Sequence, residues 1–464
     1  MKRLCIIFTA VLTVLCSCGK NEDAPASIAC NPSSVIFESA GGTKILSLAS
    51  SGAWTACTDG ADWITVNPEE GKGSEAVTLK CSQNKGQKRD ATVTFTTKGK
   101  TFSVSVSQRK DADTPMVDDG YLDPRAAFAK PLSREIMYST GTQLYMLGNV
   151  MQGFDFTDEK HFYYSQCPST SVDQYISFVA GPNLLYSNYM IVERFGHMTQ
   201  IVAEAASDGK TYIWCNSNGQ SMTNGYGNSW TISRIEYKPG AKYTGGYAGE
   251  TFFLEKNPSY YYDLQVSVDF EARRLLIGCR SPKEANMRFH FIYNLDEVLA
   301  LPLEELSCTV KMGSNESITG DGASRTETRK IQARDLSRLT PLGQFKVPRG
   351  KSDSETYYYS HQGHEVYGNY VWFYEGQAKD GTKVPNSIAF VTVFDYTGKV
   401  VIPRTQIAAV GDDATMKSFG FTYDGSAEAE SMKVKDGTVY LGFACHSAAA
   451  SKNRIQNILR YQIK

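Results

Sequence analysis

The chain has 464 residues, rich in Tyr (27), Phe (22) and Gly (39), and its 48 basic and 49 acidic side chains leave a formal charge of −1. That balance excludes a surface basic enough to attract a phosphate backbone, so nucleic acid is not expected as a partner. A chain of this length implies two or three domains rather than one core. After the first eighteen residues no apolar stretch is long enough to cross a bilayer as a helix.

Lys2 and Arg3 precede an apolar run from Leu4 to Leu15, which ends in Leu15-Cys16-Ser17-Cys18. A basic start, a short greasy run and small residues before a cut read as a secretory signal over 1–17. Cys18, with Gly19-Lys20-Asn21-Glu22-Asp23 after it, resembles the lipoprotein signal and acidic tag of Bacteroidetes surface lipoproteins. The resemblance implies lipidation of Cys18, a tether over 18–27, and a membrane partner reached through the lipid. It also implies an outer-membrane location exposed at the cell surface, with the periplasmic face as the alternative. Each buried methylene of the acyl chains adds roughly 0.8 kcal/mol to such anchoring. An ordinary signal peptide with incidental cysteines is the plain alternative.

Between Ile28 and Arg109 short β-rich runs alternate with turns: Val35–Phe37, Lys44–Leu48, Ala76–Leu79, Ala91–Phe95 and Phe102–Val106. Gly41-Gly42, Glu70-Gly71 and Lys98-Gly99 are expected turns. Strands at this spacing over 28–109 make a small β-sandwich. Phe37, Ala40-Gly41-Gly42-Thr43, Trp54, Trp63-Ile64, Gly71-Lys72-Gly73, Asn84, Arg89 and the closing Val104-Ser105-Val106-Ser107-Gln108 together resemble the BACON domain. The resemblance implies an immunoglobulin-like module, named for carbohydrate binding and often a spacer. Trp54 and Trp63 are read as core aromatics before sugar platforms. Polar, acidic 110–120 reads as a linker.

From 121 to 464 one unit recurs: a polar residue, an apolar strand, a charged turn and a second apolar strand. The copies begin at Gln152, Gln200, Gln265, His361-Gln362 and Glu430. Three of them end in a cysteine (Cys167, Cys215, Cys445) fifteen residues after the polar one, and Cys279 follows Gln265 by fourteen. Two strands joined by a tight turn fit that interval. Repeated hairpins in an all-β chain describe propeller blades. Five copies give five blades, and the gap between the third and fourth leaves room for a sixth or seventh. The last strand, Ile458–Ile463, is expected to pair near Met137 to Met146 and close the ring. The blade cysteines are expected as small buried residues rather than disulfides. Met151-Gln152-Gly153-Phe154-Asp155, Arg194-Phe195-Gly196-His197, Glu204 and Tyr212-Ile213-Trp214 resemble the helveticin J and teichoic-acid-biosynthesis-C-like propellers, with Met198 in place of a Gly. That resemblance implies an extracellular propeller linked to cell-wall glycans.

If the units are blades, Gln152, Gln200, Gln265, Gln362, Glu430, His197, His361, His364 and His446 gather at one channel mouth; only His161 and His290 lie elsewhere. Three readings compete there. In the first, amides and imidazoles bind the hydroxyls of a polysaccharide or oligosaccharide while Tyr260, Tyr261, Tyr262 or Trp372 stacks on the rings. In the second, the mouth is a polysaccharide lyase, with His197 or His361 as base, Arg280 neutralising a uronate and Tyr262 as acid. In the third, the polar groups satisfy one another along a wet channel, and the chain is a scaffold for protein partners. A glycosidase needs two facing carboxylates, for which Glu204 and Glu430 are the candidates. His361 and His364, three apart on one strand, are expected on opposite faces, which argues against a shared metal. No CxxC, Walker loop, dinucleotide fingerprint, HExxH or GxSxG occurs, so no cofactor or metal is expected.

Overall fold

The computed structural model describes residues 26–108, 133–138 and 149–462 apart from short internal stretches, the longest being 313–324. The signal 1–17, Cys18, the linker 110–120 and Cys167 fall outside the described residues. Among the described residues no helix is long and apolar enough to cross a membrane. The chain is all-β, in seven sheets among the described residues, none closed on itself. It divides into two compact units, Met1–Thr114 and Pro115–Lys464.

In the first unit one sheet runs in the order Ile28–Asn31, Gly42–Ser50, Glu75–Cys81, Ile64–Asn67. The other runs Ser34–Phe37, Lys100–Gln108, Arg89–Thr97, Ala53–Cys57, Glu70–Lys72. Burial alternates along the strands, so that Leu46, Leu48, Val93, Phe95, Val104 and Val106 fill one core between the sheets. Gly71, expected in a turn, lies inside a strand instead. A Cβ there would stand 2.6 Å from the Trp54 ring, so the glycine lets the indole lie against the backbone. Trp54 is buried and its Nε1 donates to the Gly73 carbonyl at 3.1 Å.

The second unit holds the other five sheets of the described residues. Each opens with a hairpin at one copy of the sequence repeat: Met151–Asp158 with His161–Gln166, Ile201–Ala205 with Thr211–Ser217, Tyr262–Asp269 with Arg274–Arg280, Ser360–Tyr367 with Tyr370–Gln377, and Ala427–Lys435 with Thr438–His446. Among the described residues the sequence gap between the third and fourth copies makes no sheet of its own. Leu303–Met312 and Arg325–Asp335 extend the second sheet beyond Glu250–Phe253, and Gly343–Pro348 becomes the fourth strand of the third. The fifth sheet is completed from far away in the chain, because Arg454–Gln462 pairs with Ser133–Tyr138. That partner includes Met137, while 139–148 lie outside the described residues.

The first strand of each sheet touches the first strand of the next, and that of the fifth touches that of the first. Apolar layers fill the spaces between the first and second, second and third, third and fourth, fourth and fifth, and fifth and first sheets. Cys215, Cys279 and Cys445 are buried within these layers. The large side chains of the first unit test its energetics most directly. Phe95 is fully buried edge-on to Trp54, so Phe95→Ala should lower stability by about 3–5 kcal/mol. Urea unfolding followed by tryptophan fluorescence reads the loss.

Candidate functional site

The first strands of the five sheets meet through buried polar side chains. At the hub, the Glu365 carboxylate accepts from Lys433 Nζ at 2.6 Å, Gln200 Nε2 at 2.7 Å and Ser267 Oγ at 2.9 Å. Lys433 and Ser267 come from two different first strands, and Gln200 immediately precedes a third, Ile201–Ala205. Gln200 also donates to the His364 carbonyl, and its own oxygen receives the His364 N–H at 3.1 Å. Asp155 accepts the Ala203 N–H at 2.7 Å on one oxygen and pairs with Lys435 Nζ at 2.5 Å on the other. Burial pushes the Glu365 carboxyl up, opposed by Lys433. Burial, reinforced by Glu428, pushes Glu430 up well above the carboxylate range.

The Gln-Gly pairs of the repeat have a steric cause. A Cβ at Gly153 would lie 3.2 Å from the Gln200 backbone, and one at Gly363 would lie 3.0 Å from the Met432 nitrogen. Both glycines sit where the strand register shifts, and similar shifts fall at Tyr262/Gln265 and Ala429/Met432. Four of the five first strands thus carry a bulge near their start. Bulges re-aim side chains, and here they decide which residues turn inward.

The sequence-derived candidates separate into two groups. Gln152, Gln200, Gln265, Gln362, His364, Glu430 and Trp372 are all buried. Gln152 Nε2 reaches Glu430 at 3.5 Å, and Trp372, 3 % exposed, belongs to the apolar layer between the fourth and fifth sheets. A ring so enclosed cannot stack on a sugar, which corrects the expectation for Trp372. Glu204 is occupied as well, accepting from Trp214 Nε1 at 2.8 Å and from both Arg234 Nε and Nη2 at 2.7 and 2.9 Å. It does not face Glu430, whose partner is Gln152. His446 ends its strand opposite Arg454, and its side chain lies outside the described residues.

His197, His361, Tyr262 and Arg280 are only partly buried. Strand pairing sets Arg280 opposite Tyr262, with the guanidinium 4.9 Å from the ring centroid. Next to them Tyr260 is 39 % exposed, with Lys283 Nζ 3.9 Å from its ring. Asp263, at positive φ in the bulge, binds the buried Arg288 at 2.7 Å. Burial pushes the His197 imidazole down while Asp263 opposes the shift.

The expectation that His361 and His364 face opposite ways is overturned. The shift between His361 and Gly363 adds a residue to the strand, so both imidazoles come to one side and His361 Nε2 lies 3.2 Å from His364 Nδ1. His290, expected elsewhere, joins them with its ring 5.4 Å from that of His364. It escaped sequence reading because it lies on the third strand of its sheet, outside the repeated hairpin. Its row is Gln265, Gly278, His290 and Phe345 across the third sheet. A Cβ at Gly278 would stand 2.2 Å from His364 Cε1, so that glycine makes the space for the ring.

Glu375 pairs in register with His361 and is bonded by Arg404. Burial pushes its carboxyl up to about 7, against the pull of Arg404. A raised carboxyl pKa means the folded state holds a proton that the unfolded state releases, so stability falls as pH rises from 4.5 to about 7. Glu375→Gln should remove that part of the slope. Urea midpoints of both proteins across the window, compared as a difference, measure it.

Residues 53–109 match the BACON family model, described as "Putative binding domain, N-terminal". Its motif residues have visible work in the first unit: Arg89 Nε donates to the buried Gln108 side chain at 2.9 Å, and Gln108 Nε2 donates to the Ser82 carbonyl at 2.7 Å. Among solved structures, the tail fiber of a Staphylococcus aureus phage is 12% identical, covering 71% of this chain and 52% of the fiber at a TM-score of 0.43. The chain thus spans about half the fiber's length. A DUF4784 family protein from Bacteroides caccae is 8% identical over 92% of this chain and 94% of that one, with a TM-score of 0.22. A quinonprotein alcohol dehydrogenase-like protein from Bacteroides thetaiotaomicron is 11% identical over 95% and 99% of the two chains, with a TM-score of 0.23. No curated protein matches the chain in sequence. What the comparisons establish is a match to the BACON model over residues 53–109, within the first unit.

Proposed function

We propose that this chain is a lipid-anchored surface protein of a Bacteroidetes cell, whose second unit is a five-bladed β-propeller that binds a glycan at its channel mouth. The signal over 1–17 and Cys18 support the anchor, and the BACON match supports an immunoglobulin-like spacer or binding module over 28–109, joined by 110–120 to a propeller over 121–464. For the propeller, the support is cyclic: each first strand touches the next, apolar layers alternate with sheets, and the fifth sheet borrows Ser133–Tyr138. The resemblance of residues 140 to 240 to helveticin J-like extracellular propellers points the same way.

One observation carries the binding role. The hub is sealed by its own hydrogen bonds, while two ring–cation pairs, partly exposed Tyr262 with Arg280 and exposed Tyr260 with Lys283, remain accessible. Rings stack on pyranose faces, and the guanidinium and ammonium favour a carboxylate-bearing sugar. The ligand is therefore an acidic polysaccharide, with His197 and His361 supplying further polar contacts. Affinity electrophoresis against polygalacturonate and a neutral glucan tests this. Retardation is expected on the acidic polymer, weakened about tenfold by Tyr260→Ala or Arg280→Ala, or about 1.4 kcal/mol. No retardation on any acidic glycan overturns the reading. Shortened product with new ultraviolet absorbance would instead establish a lyase, with His361, Arg280 and Tyr262 in the roles of base, neutraliser and acid.

A further inference from the structure

Three imidazoles converge between the third and fourth sheets, and the glycan reading uses only one of them. His290 and His364 are fully buried, and His361 is partly exposed. One ligand atom from each lies within 4.8 Å of the others. We propose that His290, His361 and His364 form a three-imidazole site for a divalent metal ion of the zinc type, joining two neighbouring sheets.

Distances come first. Two nitrogens bound tetrahedrally to one zinc at about 2.0–2.1 Å stand roughly 3.4 Å apart. His361 Nε2 and His364 Nδ1 are already 3.2 Å apart. The third ligand lies within 4.8 Å and has to close by at most about 1.4 Å. The backbone is shaped for this: the bulge turns His361 onto the side of His364, and Gly278 leaves the space that the His364 ring fills.

Hydrogen bonding gives an independent reason. Among the described residues neither ring nitrogen of His290 has a hydrogen-bond partner, although the side chain is 0 % exposed. A neutral imidazole carries one N–H and one lone pair, and burying both unanswered forfeits the bonds that water would make. The surroundings of His290 are otherwise aromatic, with Phe345 stacked at 4.8 Å and Phe373 edge-on at 5.9 Å. A metal ion would occupy the lone pair and account for a polar ring in an apolar layer. Arg288 repels a cation, but its charge is engaged by Asp263 at 2.7 Å. Glu375, opposite His361 in register, has a buried oxygen without a hydrogen-bond partner among the described residues. Partial exposure of His361 gives the ion a way in and leaves a position for water as a fourth ligand.

Equilibrium dialysis of the full chain, carrying no histidine tag and stripped with chelator, against buffered Zn²⁺ tests the site. Elemental analysis should find one zinc per chain, with a higher melting temperature than the metal-free protein. Co²⁺ should give the intense visible bands of a four-coordinate ion. His361→Ala should weaken zinc binding at least about a hundredfold, and His290→Phe, which keeps the aromatic volume, should do the same. His161→Ala, at an exposed ring paired with Asp158 at 2.6 Å, should change nothing. Absence of stoichiometric uptake overturns the proposal, as does uptake unaltered in both His361→Ala and His290→Phe. Glycan retardation by the metal-free protein is a separate measurement, so either reading can fail alone.

Discussion

A carboxylate buried among strands from distant parts of a chain has to be answered by donors, and Glu365 is answered by three. Lys433 and Ser267 belong to two different first strands and Gln200 immediately precedes a third, so satisfying one side chain fixes the neighbours of Ser360–Tyr367. Such a pair adds little stability against an apolar filling, because desolvating two charges offsets their attraction. Its effect is specificity. Removing one partner would leave the other charged and enclosed, so alternative arrangements of the strands are disfavoured far more than the native one is favoured. The apolar layers between sheets supply the bulk of the driving force, and the hub decides which sheet lies beside which.

Close approach of the first strands is the second constraint, and it propagates to the surface. Gly153 and Gly363 are required because another strand passes where a side chain would be. Each sits at a register shift, and the shift changes the facing of every residue before it. In the fourth sheet this brings His361 to the side of His364, and in the third it places Asp263 at positive φ against Arg288. The same packing that seals the centre therefore assembles partly exposed imidazole, aromatic and cationic groups around it. Structural and functional candidates differ by a few residues along one strand: Glu365 is sealed in the hub, and His361 remains reachable.

In the first unit the BACON motif is a set of solutions to local packing. Gly71 yields to the Trp54 ring, and Gln108, fully buried at a strand end, ties the Ser82 carbonyl to Arg89. Trp63 is half-covered by the Arg89 guanidinium, 4.6 Å from its ring. Trp54 and Trp63 are thus both engaged within the unit.

Alternating apolar residues and tight charged turns made the hairpins legible in the amino-acid order, because a two-strand unit is closed by contacts within some twenty residues. The strong core positions Phe95, Trp214 and Leu441 follow from the same alternation. Of the pairings between distant segments, only that of the last strand near Met137 was legible. Leu303–Met312 and Arg325–Asp335 join a sheet begun near Ile201, and local pattern carries no record of that partner. Strict alternation also misplaced His361 against His364, since one inserted residue reverses facing without altering composition, and it passed over His290, whose neighbours are assembled from another sheet. The sequence alone determined the all-β class, the hairpin units and the BACON motif, all of which rest on short-range sterics and burial. Only the tertiary structure decided which polar side chains are sealed, which are open and which imidazoles meet, because those outcomes depend on bulges and on strands brought together from afar.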